Sequence, residues 1–114
     1  MSDAELIVQY KQGDVGAFNR LVWRWEKPMF NFILRTIGDQ EMAKDIFQTT
    51  FIKAFKEVKN LREPDKFSPW IYRIALNLCR DEMKRKKRQA VCYLEDLKND
   101  EKQLDGFKYM KDEV

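Results

Sequence analysis

The residues of this chain best suited to chemistry lie in one stretch, FSPWIYRIALNLCRDEMKRKKR, at positions 67–88. On a helix, one aromatic, one amide and four basic side chains of this stretch fall on a single face, away from the apolar stripe formed by Ile71, Ile74, Ala75 and Leu78. Cationic groups bind phosphates, an amide reads a base edge, and an indole stacks on an unpaired base, so this face predicts nucleic-acid binding. The competing interpretation is a solvated basic helix end stabilised by the helix dipole. The six residues of the face are Trp70, Arg73, Asn77, Arg80, Lys84 and Arg88.

A second candidate face lies on the helix predicted over residues 40–58. Ile52 and Phe55 fall outside the apolar stripe of this helix and lie beside Asp45 and Gln48. Large apolar side chains among polar ones are typical of protein interfaces, whereas the alternative is that Phe55 packs under a neighbouring helix. The stripe expected to enter the core consists of Ala43, Ile46, Phe47, Phe51, Ala54 and Val58.

The composition argues against an enzyme and against a metal or cofactor site. The chain has no histidine, and Cys79 and Cys92 lack zinc-ligand spacing, so we expect two reduced thiols and no metal. Asp81 and Glu82 are adjacent and point about 100 degrees apart on a helix, which disfavours a paired acid–base site. No glycine-rich phosphate loop is found in the sequence.

Helix-capping signals divide the chain into the elements that position these faces. Ser2 and Asp3 open a first helix, and Gly13–Asp14 and Gly38–Asp39 each end one helix and cap the next. Pro28 predicts either a kink or the first residue of a further helix. The segment KNLREPDKF reads as a loop, followed by a helix with Ser68 as N-cap and Pro69 as its first residue.

The expected fold is all-α, a compact bundle of four to five helices. We expect one domain over residues 1–88 and an acidic linker or tail over residues 89–114, where helical periodicity decays. Residues 95–114 carry a net charge of −3 within a chain of net charge +3, so the basic residues are concentrated in the bundle. Without a secretory signal or an apolar run of about 20 residues, we expect a cytoplasmic protein with no membrane partner.

Three linked segments resemble a known family. DAELIVQYKQGDVGAFNRLV, GDQEMAKDIFQTTFIKAFKEV and the stretch at positions 67–88 resemble, in order and spacing, the N-terminal region 2 domain of extracytoplasmic-function (ECF) sigma factors of bacterial RNA polymerase. The resemblance covers about residues 3–88. It implies partners, namely the clamp coiled coil of the largest polymerase subunit, the non-template strand of the promoter minus-ten element, and an anti-sigma factor.

The resemblance also implies roles for individual positions. The D-x-x-Q motif that grips the clamp corresponds to Asp45 and Gln48, and Thr49 stands where the family usually carries an acidic residue. The implied polymerase-binding residues are Asp45, Gln48, Thr49, Phe51, Ile52 and Phe55. The loop over residues 60–67 corresponds to the specificity loop that receives a flipped base, and residues 80–88 to the phosphate-binding end. The implied DNA-binding residues are Asn60, Lys66, Phe67, Trp70, Arg73, Asn77, Arg80, Lys84 and Arg88.

The function implied is promoter recognition and melting by base capture, with no covalent chemistry in this chain. Extruding a base costs a few kcal/mol, which a pocket for that base offsets. The alternative is a small helical adaptor or an anti-sigma-binding module without direct DNA binding. The helix-turn-helix domain of the family does not follow by Val114, so we expect the chain to be a fragment of a longer protein.

Overall fold

The computed structural model describes residues 1–100, with side chains through Lys98. The first helix, α1, spans Asp3–Lys11. A capping box closes its N-terminus, because the Glu5 amide donates to Ser2 Oγ at 3.1 Å and the Ser2 amide donates to Glu5 Oε1 at 3.3 Å. The predicted start and end of this helix are confirmed, and the chain turns at Gly13, whose φ is 108°.

The second helix, α2, spans Val15–Ile37 without interruption. The alternative of a separate helix starting at Pro28 is wrong, since Pro28 lies inside α2 with its side chain exposed. Gly38 ends α2 in the left-handed conformation, with φ of 76°. Asp39 then caps the third helix, accepting a hydrogen bond from the Met42 amide at 3.1 Å, as the sequence predicts.

The third helix, α3, spans Gln40–Glu57 and leads into two short 3-10 turns, Val58–Asn60 and Pro64–Lys66. The fourth helix, α4, spans Phe67–Asp100. The prediction of Ser68 as N-cap is wrong, because the second 3-10 turn runs directly into α4 and places Ser68 and Pro69 in its first turn. Pro69 is tolerated there because amides of the first turn have no intrahelical acceptor.

The prediction that helical structure fades from about residue 89 is wrong for residues 89–100, which continue α4. Residues 101–114 of the predicted tail lie outside the described residues. The chain divides into two compact units, Met1–Arg80 and the part that starts at Asp81. The domain boundary at residue 88 stays a prediction.

The core of the first unit is built from all four helices, which confirms the all-α bundle. The apolar stripes predicted for α3 and α4 supply buried side chains, although Phe47, Ile74 and Leu78 are only half-buried. Thr50 is the buried polar side chain of this core in the described part of the chain, and its hydroxyl donates to the Ile46 carbonyl at 2.7 Å. The largest fully buried side chains are those of Phe67, Leu6, Ile7, Leu21, Met29, Ile33 and Ile71.

Over residues 1–100, no helix combines the length and apolar character that crossing a membrane requires. The same residues contain no cluster of histidine, cysteine or carboxylate side chains able to hold a metal ion. Both thiols are free, with Cys79 buried and Cys92 exposed.

Candidate nucleic-acid interface and partner-binding face

A surface pocket of about 380 Å³ opens where the loop after α3 meets the start of α4. The two cations that sequence analysis assigned to DNA binding at this point, Lys66 and Arg73, lie in its wall with the half-buried indole of Trp70. Asn60 is exposed on the preceding 3-10 turn and does not line the pocket. The pocket is lined by Leu61, Arg62, Glu63, Lys66, Pro69, Trp70 and Arg73. An indole flanked by cations suits an extruded base with its phosphate.

The buried Phe67 ring holds the indole of Trp70 in place. Phe67 is only 1% exposed, and its ring centroid lies 5.8 Å from that of Trp70. Phe67 packs in turn against Trp25 of α2, with 6.1 Å between centroids. The assignment of Phe67 as a DNA-contacting residue is therefore corrected: its side chain belongs to the core and supports a residue that reaches the surface.

A second groove, of about 550 Å³, continues along α4 from the pocket. Arg73 lines both cavities, so one guanidinium connects them. Asn77 and Arg80, predicted from the helical wheel, lie in the groove wall and are exposed. The groove lining also includes two aromatic residues, Phe32 and Tyr72, whose rings meet edge to face at 5.0 Å. The groove is lined by Phe32, Pro69, Tyr72, Arg73, Leu76, Asn77 and Arg80.

The cations of this surface are free to bind an external anion. Within the described residues, no ion pair joins Lys66, Arg73 or Arg80 to a carboxylate, whereas Arg24 and Arg85 each pair with one. Glu63 in the pocket wall is the one acidic lining residue of the two cavities. The net charge lining the cavities is therefore positive, which favours a polyanion.

The basic end of α4 lies in the second unit and consists of exposed side chains. Lys84 and Arg88 are both exposed on this helix. Arg85, by contrast, donates to the Glu82 carboxylate from Nε at 2.9 Å, and this hydrogen bond lowers the pKa of Glu82. Part of the positive charge here is thus compensated within the helix.

The α3 face contains most of the residues predicted to bind a protein partner. Asp45, Gln48 and Thr49 are exposed, as is Ile52. Phe55 combines both interpretations of the sequence: its side chain is 47% exposed, yet its ring lies 5.3 Å from Phe18 and 5.8 Å from Tyr10.

Phe51 does not belong to this exposed surface. It is 9% exposed and its ring packs against Phe47 at a centroid distance of 4.9 Å. The prediction that Phe51 contacts the polymerase is therefore corrected: Phe51 is a core residue that lies beneath the α3 face.

The family model described as Sigma-70 region 2 matches residues 21–89, more than half of the chain. The chain belongs to the Sigma-70 region 2 family. The match includes α3, the loop that follows it, the pocket and the groove.

Individual relatives of this region 2 chain are sigma factors. It is 37% identical over 81 residues to the ECF RNA polymerase sigma factor SigW of Bacillus subtilis, covering 71% of this chain and 43% of the relative. It is 33% identical, again over 81 residues, to the RNA polymerase sigma-H factor of Pseudomonas aeruginosa, covering 71% and 42%. The chain therefore spans about two fifths of the length of these relatives.

A solved structure shares the fold of this region 2 chain. It is the NMR structure of an engineered region 2 of sigmaE in complex with GTAAAA, with a TM-score of 0.69 and 30% identity, covering 78% of this chain and 93% of the other. The resemblance to ECF sigma factors and the all-α fold are thus confirmed. The roles of the other predicted site residues stay predictions.

Several lining residues of this region 2 chain were not predicted from sequence. Arg62 and Glu63 lie inside the loop predicted over residues 60–67 but were not named individually, because no periodic pattern reports which loop side chains line a pocket. Phe32 and Tyr72 were missed because they meet across two helices, and a helical wheel describes one helix at a time.

Proposed function

We propose that this chain is the promoter-recognition and promoter-melting region of an RNA polymerase sigma factor. The observation that carries the proposal is the pocket whose wall combines the Trp70 indole with the cations Lys66 and Arg73. A solved relative of the same fold was determined in complex with GTAAAA, which supports a nucleic-acid ligand at this domain. The ligand proposed is the non-template strand of the minus-ten element.

Melting would proceed by capture of an extruded base. Removing a base from the duplex stack costs a few kcal/mol. Stacking of that base on Trp70 returns about 1–3 kcal/mol, and contacts from Arg73 and Arg80 to phosphates hold the separated strand. Lys84 and Arg88 add phosphate contacts further along α4. The domain therefore binds the strand in its separated state. No covalent bond is made or broken by the chain.

The α3 face is proposed to bind the clamp coiled coil of the largest polymerase subunit. Ile52, 55% exposed, and the half-exposed Phe55 supply apolar contact area, and Asp45 and Gln48 supply polar contacts at the rim. Separation of this face from the α4 surface lets one domain hold polymerase and DNA together. Action in the cytoplasm and control by an anti-sigma factor follow from the same proposal.

Single-stranded DNA binding as a function of salt tests the DNA part of the proposal. In fluorescence anisotropy with a labelled GTAAAA-containing strand, we expect a log–log slope of about −0.7 for each phosphate contacted. Trp70→Ala should weaken binding about tenfold at constant slope, because stacking is lost. Arg73→Ala should make the slope less steep by about 0.7, because one phosphate contact is lost.

Lys27→Ala is the matched charge control, since Lys27 is exposed on α2 beside Phe47 of α3 and outside both DNA-facing cavities. It should bind like the unaltered chain. A flat salt response, or equal effects of Lys27→Ala and Arg73→Ala, would favour the helical-adaptor alternative.

Binding to an isolated clamp coiled coil tests the α3 face. Gln48→Ala and Ile52→Ala remove exposed groups of the face, so we expect weaker capture of the clamp with unchanged helicity by circular dichroism. Glu57→Ala, an exposed change about 140 degrees around the same helix from Ile52, is the control. Undiminished capture by both Gln48→Ala and Ile52→Ala would rule out this assignment.

A further inference from the structure

The first turn of α1 is tied to α2 through both oxygens of one carboxylate. Asp3 Oδ1 accepts a hydrogen bond from Arg24 Nη1 at 2.8 Å, and Asp3 Oδ2 accepts one from Trp25 Nε1 at 3.2 Å. Arg24 Nη2 also donates to the Met1 carbonyl at 2.5 Å. We call Asp3, Arg24 and Trp25 the N-terminal brace.

Aromatic contacts connect Trp25 of the brace to Trp70 in the wall of the DNA-facing pocket. The Trp25 ring lies 6.1 Å from Phe67, and Phe67 lies 5.8 Å from Trp70 in the pocket wall. Trp25 also meets Tyr72 edge to face at 5.8 Å, and Tyr72 forms the wall of the neighbouring groove. A single indole thus supports both cavities from beneath.

The orientation of this indole depends on Asp3. Trp25 has one hydrogen-bond donor, its Nε1–H, and a half-buried indole that loses its acceptor gains by turning that group towards water. Rotation of Trp25 would remove its ring contacts with Phe67 and Tyr72. The charge-assisted hydrogen bond from Arg24 fixes the position of the Asp3 carboxylate.

We propose that Asp3 and Trp25 are positioning residues for DNA binding: through Phe67 they hold the Trp70 indole in the orientation that stacks on an unpaired base. The inference rests on the proposed function, since it requires Trp70 to contact a base. It assigns a binding role to α1, which contributes no lining residue to the pocket or to the groove.

A double-mutant cycle on the full chain tests the proposal. With the GTAAAA-containing single strand as probe, Asp3→Ala should raise the Kd about threefold to tenfold, the range expected when an aromatic contact is lost. The salt slope should not change, because no phosphate contact is touched. In the Trp70→Ala background, Asp3→Ala should have no further effect, because the group it positions is gone.

Two further variants separate positioning from a general loss of stability. Trp25→Phe keeps a ring beside Phe67 but removes the hydrogen bond to Asp3, and it should reproduce the Asp3→Ala effect. Glu5→Ala removes the capping box of the same helix without touching Trp25, and it should leave the Kd unchanged.

Three outcomes would overturn the proposal: unchanged Kd in Asp3→Ala, additive effects in the cycle, or an equal loss in Glu5→Ala. These outcomes are distinguishable from failure of the proposed function. If Trp70→Ala itself leaves DNA binding unchanged, the base-capture function fails; if Trp70→Ala weakens binding and Asp3→Ala does not, only the brace fails.

Discussion

At the scale of single residues, Phe55 has two physical roles because its ring is only half covered. It packs against Tyr10 and Phe18 and still presents apolar surface beside Ile52. We expect Phe55→Ala to lower the free energy of unfolding by roughly 1–2 kcal/mol, less than a fully buried phenylalanine would cost, and also to weaken clamp binding. Ile52→Ala should weaken clamp binding with a stability change of at most about 0.5 kcal/mol. Urea unfolding monitored by circular dichroism, beside the clamp-binding assay, checks both; equal stability losses would contradict this difference.

The two thiols should differ sharply in reactivity. Burial raises the pKa of the Cys79 thiol, so it is both inaccessible and protonated, whereas Cys92 is exposed. Reaction with a thiol reagent should label Cys92 in the folded chain and reach Cys79 only on unfolding, and Cys92→Ser should remove the fast phase. Rapid labelling of folded Cys92→Ser would contradict the burial of Cys79.

Because the Cys79 thiol ionises at lower pH in the unfolded chain than in the folded one, the free energy of unfolding should fall as pH rises above the ordinary thiol pKa of about 8.5.

The face that the α4 site residues share could be predicted from sequence, whereas the burial of Phe67 could not. The wheel placed Trp70, Arg73 and Asn77 on one face because exposure around a single helix follows from its period. It could not show that Phe67 is covered, since that depends on Trp25 of another helix. The brace escaped prediction for the same reason: Asp3 and Trp25 are distant in sequence and belong to different helices.

At the scale of helices, Pro28 is the main departure from local preference. A proline in a helix interior cannot donate to the carbonyl four residues earlier, here that of Arg24, yet α2 is continuous. We therefore expect Pro28→Ala to raise the free energy of unfolding by about 1–3 kcal/mol, measured by denaturant unfolding. The Pro28 side chain is exposed, so little packing is lost. A fall in stability would show that the fold depends on the backbone geometry that the proline imposes.

Helix ends were predictable where side chains or glycines set them. The glycines at 13 and 38 adopt positive φ, and Asp39 caps α3, as expected from residue type. The prediction of Ser68 as the N-cap of α4 was wrong because a hydrogen-bonded 3-10 turn directly precedes the helix. No capping side chain is therefore needed at Ser68. The extension of α4 over residues 89–100 was missed because most side chains of residues 89–98 are exposed and the segment shows little amphipathic pattern.

At the scale of the whole bundle, the first unit presents two faces on different helices. The α3 face bears exposed apolar and polar side chains, and the α4 surface bears cations and aromatic rings around two cavities. Under the proposed function, these two faces would let one domain hold polymerase and DNA at once. The fold class and the family followed from sequence, because capping signals and linked motifs are local; the cavities did not, because they form between elements.

The most direct test of this account measures both partners against variants of both faces. Trp70→Ala should weaken binding to the GTAAAA-containing single strand about tenfold and leave clamp binding unchanged. Ile52→Ala should weaken clamp binding and leave DNA binding unchanged. The assignment of separate DNA and polymerase faces is contradicted if either variant weakens DNA binding and clamp binding to the same extent. It is also contradicted if Trp70→Ala leaves DNA binding unchanged and Ile52→Ala leaves clamp binding unchanged.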